Sequence, residues 1–325
     1  MAQRVGVAEM VGVLGMVPTP STPDADQWSC TQSVALDETA AMVERIVTGG
    51  VRILLTNGSL GEGATLTAEE HRLFTACIAD TLRGRGLVFA GATTLNTRDT
   101  ITRGRAALDA GADGLFLGRP MWMALDGQAI VRFYRDIADA LPGVPIIVYD
   151  NQFAFKGKID TATYAALAAI PEVIATKHIG GPSIAADLTA VAGRLRVLPL
   201  DTQWPALAEQ FPAEALGCWS GNVADGTEPL IQLAGLVQAQ DWPAARALAE
   251  RMLWAQAPMF PDGRLEVFVE YNIPIAHARL AGSGLVRSGP PRPPYTVCPP
   301  AYWEGGLETG RRWAALAAAV RDGQT

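Results

Sequence analysis

A lysine, a tyrosine and a glycine-rich turn are the parts of this sequence best suited to chemistry on a carbonyl group. Lys177 stands directly behind the apolar run Val173-Ile174-Ala175, in a chain where only Lys156 and Lys158 are also lysines and the other 23 basic residues are arginines. An arginine there could never act as a nucleophile, because its guanidinium stays protonated. A lysine whose ammonium is partly desolvated has a lowered pKa, and the neutral amine condenses with ketones. Taken alone, the same lysine is as readily a strand-end cation that snorkels to water or pairs with an acid. Tyr149 ends the neighbouring apolar run, "PIIVY", and its phenol can pass protons to and from a carbinolamine or enamine; the commoner role of such a ring is to pack on the core. In "NGSLGEG", glycines at 58, 61 and 63 allow backbone N–H groups to converge into a nest for a small carboxylate, with the Ser59 hydroxyl beside it. As an isolated pattern this is also an ordinary glycine-rich turn.

These residues need elements to bring them together. Apolar, mostly continuous runs recur at 12–17, 51–56, 87–92, 113–118, 145–149, 172–177, 194–200 and 215–220, as expected of parallel strands buried on both faces. Helical segments separate them. Thr67 to Glu70 forms a capping box, Asn96 or Thr97 can cap the next helix with Gly111 closing it, and Asp126 can cap another. Eight strands alternating with helices predict an α/β fold, a (β/α)8 TIM barrel. No G-x-G-x-x-G follows an early strand, as a doubly wound dinucleotide fold requires. After residue 226 the strand pattern stops, and "EPLIQLAGLVQAQ", "WPAARALAERMLWAQA" and "LEVFVEYNIPIAHARLAG" read as helices. A proline-rich turn at 288–302 and a final helix near 303–320 follow. The expected division is therefore 1–225 for the barrel and 226–325 for a C-terminal helical extension packed on it.

The bulk properties exclude several classes. The chain has 325 residues, 49% of them hydrophobic, and a net charge of −7. No basic stripe suggests nucleic acid or an anionic membrane. The apolar runs are too short to span a bilayer, and the N-terminal one runs into Pro-Thr-Pro without an A-x-A site, so it reads as a first strand rather than a leader. Cys30, Cys77, Cys218 and Cys298 are far apart, and reduced thiols in a cytoplasmic protein are the simplest reading. His71, His178 and His277 show no ligand spacing, so no protein-held metal is expected. His71 and His277 fall on predicted helices and read as surface or core-edge residues.

In a barrel, catalysis sits where strands end. Those ends carry Thr19, the "NGSLGEG" turn, Thr93, Arg119, Tyr149-Asp150-Asn151, Lys177, Asp201 and Trp219-Ser220. Gly58-Ser59-Leu60-Gly61-Glu62, Tyr149-Asp-Asn151 and Lys177, in this order and spacing, resemble the superfamily of dihydrodipicolinate synthase and N-acetylneuraminate lyase. Further stretches ("VPTPSTPDADQW", "GEGATLT", "TTLNTRDTI", "GRPMWM", "FYRDIADA", "AFK", "CWS", "YNIPIAHARL", "RPPY") are similar to its trans-o-hydroxybenzylidenepyruvate hydratase-aldolase branch, and the similarity runs over nearly the whole chain.

The resemblance implies a class I pyruvate aldolase with hydratase activity and no cofactor beyond a covalent imine on Lys177. Tyr149 would shuttle protons. Gly58, Ser59 and the backbone at Leu60 would hold the pyruvate carboxylate. Asn151, Trp219 and Asn272 would shape the aryl end and position water, and Gly180 with Gly181 would leave room beside the imine. It further implies an arylidene pyruvate as small-molecule substrate, of the hydroxybenzylidene or carboxybenzal type, cleaved to an aromatic aldehyde and pyruvate in polycyclic aromatic degradation. A homotetramer or other small homo-oligomer is implied too. Two departures are His178, where the branch carries an aromatic residue, and Asp150, where a small one is expected. With regular alternation both point away from the barrel axis, although His178 could also tune the aryl preference toward an ortho-carboxylate. Trp219 reads equally as a wall for the aryl ring or a core residue closing strand 8, and Asn272 by itself as a solvated helix residue. Glu62 reads as an acceptor of backbone hydrogen bonds that fixes its loop. A sugar-acid aldolase of the same superfamily and a catalytically silent binding barrel remain as alternatives.

Overall fold

The computed structural model describes residues 5–323. Its centre is a sheet of eight parallel strands, β1 Gly12–Met16, β2 Ile53–Leu55, β3 Leu87–Gly91, β4 Gly114–Leu117, β5 Ile146–Tyr149, β6 Val173–Lys177, β7 Arg196–Leu198 and β8 Gly217–Ser220. The hydrogen-bonded order is β7-β6-β5-β4-β3-β2-β1-β8, and a parallel bridge from Leu200 to Trp219 links the ends of β7 and β8 into a barrel. Each strand falls inside a run read from the sequence.

Eight helices alternate with the strands: α1 Leu36–Thr48, α2 Ala68–Leu82, α3 Thr97–Asp109, α4 Gly127–Ala140, α5 Thr161–Leu167, α6 Ile184–Val191, α7 Trp204–Gln210 and α8 Glu228–Gln238. Thr67, Asn96 and Asp126 cap α2, α3 and α4, each accepting from a backbone N–H three residues on. The strands bury both faces, and two apolar shells result. Leu14, Met16, Leu55, Phe89, Phe116 and Ile147 fill the barrel. Leu54, Val88, Leu115, Val148 and Val197 face the helices. This period-two division decides which residues at the strand ends look into the mouth.

Beyond the barrel come α9 Trp242–Gln256, α10 Leu265–Glu270, α11 Asn272–Ser283 and α12 Pro300–Arg321. The single helix expected over "LEVFVEYNIPIAHARLAG" is broken at Tyr271, whose φ of −116° and ψ of 20° leave the helical region. Pro274 explains the break. It has no N–H, and its ring would clash with the carbonyl of Glu270 inside a continuous helix, whereas in the first turn of α11 it costs nothing. α11 and α12 pack closely because Gly306 and Gly310 lie against α11 backbone, where a Cβ would come within 2.6 Å of the Ile275 oxygen and 2.0 Å of the Arg279 oxygen. Buried Trp313 of α12 donates from Nε1 to the Gly226 oxygen at 2.9 Å, which fastens the last helix to the segment between β8 and α8.

The Thr67 capping box satisfies the first turn of α2, with Glu70 returning a bond to the Thr67 N–H at 2.8 Å. Thr67→Ala should lower stability by about 1 kcal/mol, read as a lower urea midpoint with an unchanged m-value.

Candidate active site

β5 and β6 set the centre of the site. Their register places Tyr149 directly opposite Lys177. Both side chains enter the mouth of the barrel, Tyr149 as part of the inner apolar shell and Lys177 with only 6% of its surface exposed. The Lys177 Nζ lies 4.8 Å from the centroid of the Tyr149 ring and 3.4 Å from that of the Trp219 ring. Burial lowers its pKa from the ordinary 10.5 to about 7, against the opposing pull of the Asp150 carboxylate. The aromatic faces favour the ammonium as well, but loss of hydration outweighs both attractions. Trp219 is thus resolved as a mouth residue: half-buried and packed on the inner shell, it donates from Nε1 to the His178 oxygen at 2.9 Å.

The Tyr149 ring is held on two sides. Phe116 of β4 stacks on it at 4.6 Å between centroids, and Phe155 meets it edge-on at 5.1 Å. Gly118 leaves the space Phe155 needs, since a Cβ there would fall 1.9 Å from a Phe155 ring carbon. The phenol oxygen has two polar neighbours. Asn151 donates from Nδ2 at 3.0 Å, and Ser59 Oγ lies at 3.1 Å. Asn151 has its amide orientation fixed, because its Oδ1 accepts from the N–H groups of Phe153 and Ala154, each at 3.1 Å. With one lone pair engaged by Asn151, the phenol proton is free to point at Ser59 or at a substrate atom between them.

Ser59 comes from the loop that follows β2. Asn57 and Glu62 hold positive φ values of 52° and 50° there, unusual for residues with side chains. Gly61 and Gly63 press against the Asn57 backbone, where added Cβ atoms would lie 2.7 and 2.2 Å from its nitrogen and oxygen. A Cβ on Gly58 would meet Met16 and Phe116 at 3.0 and 3.2 Å, so the bare backbone reaches the barrel axis. Among the described residues, the N–H groups of Ser59 and Leu60 have no acceptor. Leu60 leans on the inner shell and approaches Gly221 beyond β8. The loop thus offers two free N–H donors and a hydroxyl on the Tyr149 side of the mouth, an arrangement suited to a carboxylate.

Asp150 and His178 do turn to the helix side. Asp150 pairs with buried Arg119 at 3.1 Å and accepts from the Tyr164 hydroxyl at 2.9 Å. His178 is fully buried, with Nε2 3.0 Å from Asp187 and Nδ1 accepting from the Gly180 N–H at 2.9 Å. Gly180 has φ 86°, and a Cβ on it would meet Gln203. Among the described residues, neither Gly180 nor half-buried Asn272 shares a hydrogen bond or ion pair with Lys177. Asp201 is buried below the rim, accepting from Ser220 Oγ at 2.5 Å, and burial raises its pKa to about 6. His71 and His277, expected near the surface, are both buried. His71 faces the Gly91 oxygen, while His277 faces Glu62 at 2.7 Å. Glu62 itself binds chiefly side chains, His277 and Arg292, with one backbone bond from the Arg292 N–H. Arg292 lies in the "RPPY" stretch, and nothing in its local sequence distinguishes it from a solvated arginine. Among the described residues, no group of three or more His, Cys, Asp or Glu is placed to hold a metal ion.

A lysine whose pKa is lower folded than unfolded binds fewer protons in the native state between the two values, so its contribution to stability improves as pH rises from about 7 toward 10.5. At pH 6 the buried ammonium is a cost. Lys177→Met should therefore be more stable than the parent by a few kcal/mol, on the order of the free energy such a shift represents, and the gap should narrow by pH 10. Denaturant midpoints of both proteins across that range measure it.

Comparison with known proteins gives a consistent relationship. The model of the dihydrodipicolinate synthetase family matches residues 14–191. The trans-2'-carboxybenzalpyruvate hydratase-aldolase of Nocardioides sp. (strain KP7) is 47% identical over 313 residues, 95% of this chain and 94% of that protein. The trans-O-hydroxybenzylidenepyruvate hydratase-aldolase of Sphingobium xenophagum is 40% identical, covering 96% of each. A solved structure, PhdJ bound to substrate intermediate, superposes with a TM-score of 0.96 at 49% identity, over 97% of this chain and 99% of that one. On the match of both sequence and barrel, the chain belongs to the dihydrodipicolinate synthetase family.

Proposed function

We propose that the protein is a class I hydratase-aldolase that cleaves an arylidene pyruvate into an aromatic aldehyde and pyruvate. The observation that carries this reading is the dry amine of Lys177, with its pKa near 7, set opposite Tyr149 and against the face of Trp219. Two relatives of nearly equal length act, by their names, on substrates of this kind, one bearing a carboxyl and the other a hydroxyl on the ring.

In this reading Lys177 attacks the substrate ketone, and loss of water from the carbinolamine gives an iminium conjugated with the alkene. The iminium draws electrons away from the benzylic carbon, water adds there with loss of a proton, and protonation of the resulting enamine at the adjacent carbon restores the iminium. Retro-aldol cleavage then breaks the carbon–carbon bond, the electron pair passing into the iminium as the aldehyde leaves. Protonation of the resulting enamine and hydrolysis free pyruvate and restore the amine. One lysine serves hydration and cleavage because both need the same electron sink. Tyr149 moves the protons, with Asn151 orienting the phenol and Ser59 as its hydrogen-bond neighbour. Gly58, Ser59 and Leu60 hold the carboxylate, and Trp219 gives the aryl ring a flat apolar wall. On sequence similarity alone, Asn272 belongs to the aryl end and Gly180 to the space beside the imine.

A sugar-acid aldolase would need several polar groups around the amine, and the aromatic rings there favour an arene instead. A silent binding barrel would have no use for an amine held at such a cost in hydration. The division into 1–225 and 226–325 is proposed as geography only, since His277 and Arg292 of the second part hold Glu62 of the first. No described helix is long and apolar enough to cross a membrane; a cytoplasmic homo-oligomer is the reading that fits the family.

Borohydride reduction with pyruvate should add one reduced pyruvyl group, located on Lys177, and a substrate panel should show cleavage of arylidene pyruvates but not of sialic or keto-gluconic acids. The opposite panel result would sink the aromatic assignment, and the absence of any adduct the enzyme assignment. Tyr149→Phe should lower kcat for aldehyde release by about 10²–10⁴ while still forming the Lys177 adduct.

A further inference from the structure

We propose that Arg292 and His277 are positioning residues for the pyruvate carboxylate, acting through Glu62 on the turn that carries Ser59 and Leu60. The proposal rests on the function argued above and adds to it a part of the chain far from Lys177 in sequence.

Glu62 is 1% exposed and lies at the centre of a buried polar cluster. Its Oε1 accepts from Arg292 at 2.6 Å and from His277 Nε2 at 2.7 Å, and its Oε2 accepts from the Arg292 backbone N–H at 3.2 Å. Its own N–H donates to the Ser59 oxygen at 3.1 Å and closes the turn around Ser59, Leu60 and Gly61. The left-handed φ of 50° at Glu62 is unfavourable for a glutamate and persists only where its surroundings impose it. Contacts of the side chain add to those of the backbone, where Thr65 donates its N–H and its hydroxyl to the Glu62 oxygen at 2.9 Å each. If the side-chain contacts are lost, the turn that carries the two free N–H groups loses the support that reaches it from the C-terminal part of the chain.

The remaining donors of Arg292 are all spent on the barrel rim. Nε reaches Ser33 Oγ at 2.6 Å, and the terminal nitrogens reach the oxygens of Thr19, Pro20 and Ser33 at 3.2, 3.2 and 2.9 Å. Ser33 in turn is held by Glu70, which also receives the Thr67 N–H at 2.8 Å. Thr19 Oγ1 donates to the Gly61 oxygen at 2.7 Å. The tail arginine therefore braces both the middle of the β2–α2 loop, at Glu62, and its far end, at the start of α2. His277 is itself fixed from behind by Nδ1, 2.9 Å from the Gly289 oxygen. Neither Arg292 nor His277 touches Lys177 or Tyr149 in the described contacts, so their effect should fall on binding of the carboxylate and spare the chemistry at the ketone.

The test is a pyruvate titration of borohydride-trapped adduct on the full-length protein, with Arg292→Lys, His277→Gln and the parent. Arg292→Lys keeps a cation but not the planar fork that serves several acceptors at once. Its half-saturating pyruvate concentration should rise about tenfold and that of His277→Gln about threefold, with the extent of labelling at saturation within about twofold of the parent, as expected when ground-state binding alone is lost. The KM for the aryl aldehyde in the condensation direction should stay unchanged in both. Unchanged half-saturation, or a fall only in the maximal extent, which is what partial unfolding gives, would overturn the proposal. If Arg292→Lys does not fold, His277→Gln, which leaves the Arg292–Glu62 pair in place, decides it by the same readout. A parent protein that forms no adduct would refute the proposed function instead, a distinct outcome.

Discussion

The proposed chemistry depends on one quantity, the hydration of the Lys177 ammonium group. Lys177 ends β6 inside a ring of parallel strands whose inner face is apolar up to the rim, and its Nζ rests on Trp219 beside Tyr149. The amine keeps the Asp150 carboxylate within electrostatic reach but has its direct contacts with rings. That carboxylate is committed to Arg119 and Tyr164 on the helix side. The separation matters. An acid turned inward would have formed an ion pair and fixed the ammonium, leaving no nucleophile at neutral pH. Alternation at the ends of β5 and β6, past the register shift between Ile146 and Ile147, prevents this, since Tyr149 and Asp150, like Lys177 and His178, face opposite sides there.

Around that amine the structure divides labour between rigid and supported parts. Tyr149 is rigid because Phe116 and Phe155 trap its ring and Asn151 holds its oxygen. The Ser59 turn cannot be rigid by itself, being a loop with left-handed residues at Asn57 and Glu62. It takes its support from Thr19 on one side and from Arg292 and His277 on the other. The C-terminal part of the chain thereby supports a loop of the barrel mouth. α11 carries His277 along its buried face, and the close glycine packing of α12 on α11 keeps that helix in place.

Much of this was legible in the sequence for a simple reason. Strand boundaries, caps and the inward residues at strand ends follow from local patterns, and parallel strands without alternation leave few folds to choose between. Lys177, Tyr149 and Ser59 stand out as candidates when each strand end is asked what it could do, and the structure brings all three to the mouth. Other parts depend on long-range contacts that no local pattern encodes. The sequence leaves Trp219 as core or mouth, and only the packing of its ring on the amine decides between them. Arg292 looks like any arginine among prolines, yet it is buried with donors satisfied by residues some 230 to 270 positions away. The burial of His277 escapes a reading of the sequence for the same reason, because a helix face buried by a separate loop carries no periodic mark of its partner. The break at Tyr271 was readable in retrospect from Pro274.

The most direct measurement of the central claim is the rate of imine formation between the protein and pyruvate as a function of pH, followed under single-turnover conditions. A desolvated amine gives a rate that climbs to a plateau with a midpoint near 7. A midpoint near 10, the value of a lysine in water, would mean that Lys177 is not held dry by its rings, and the nucleophile would have to be sought elsewhere.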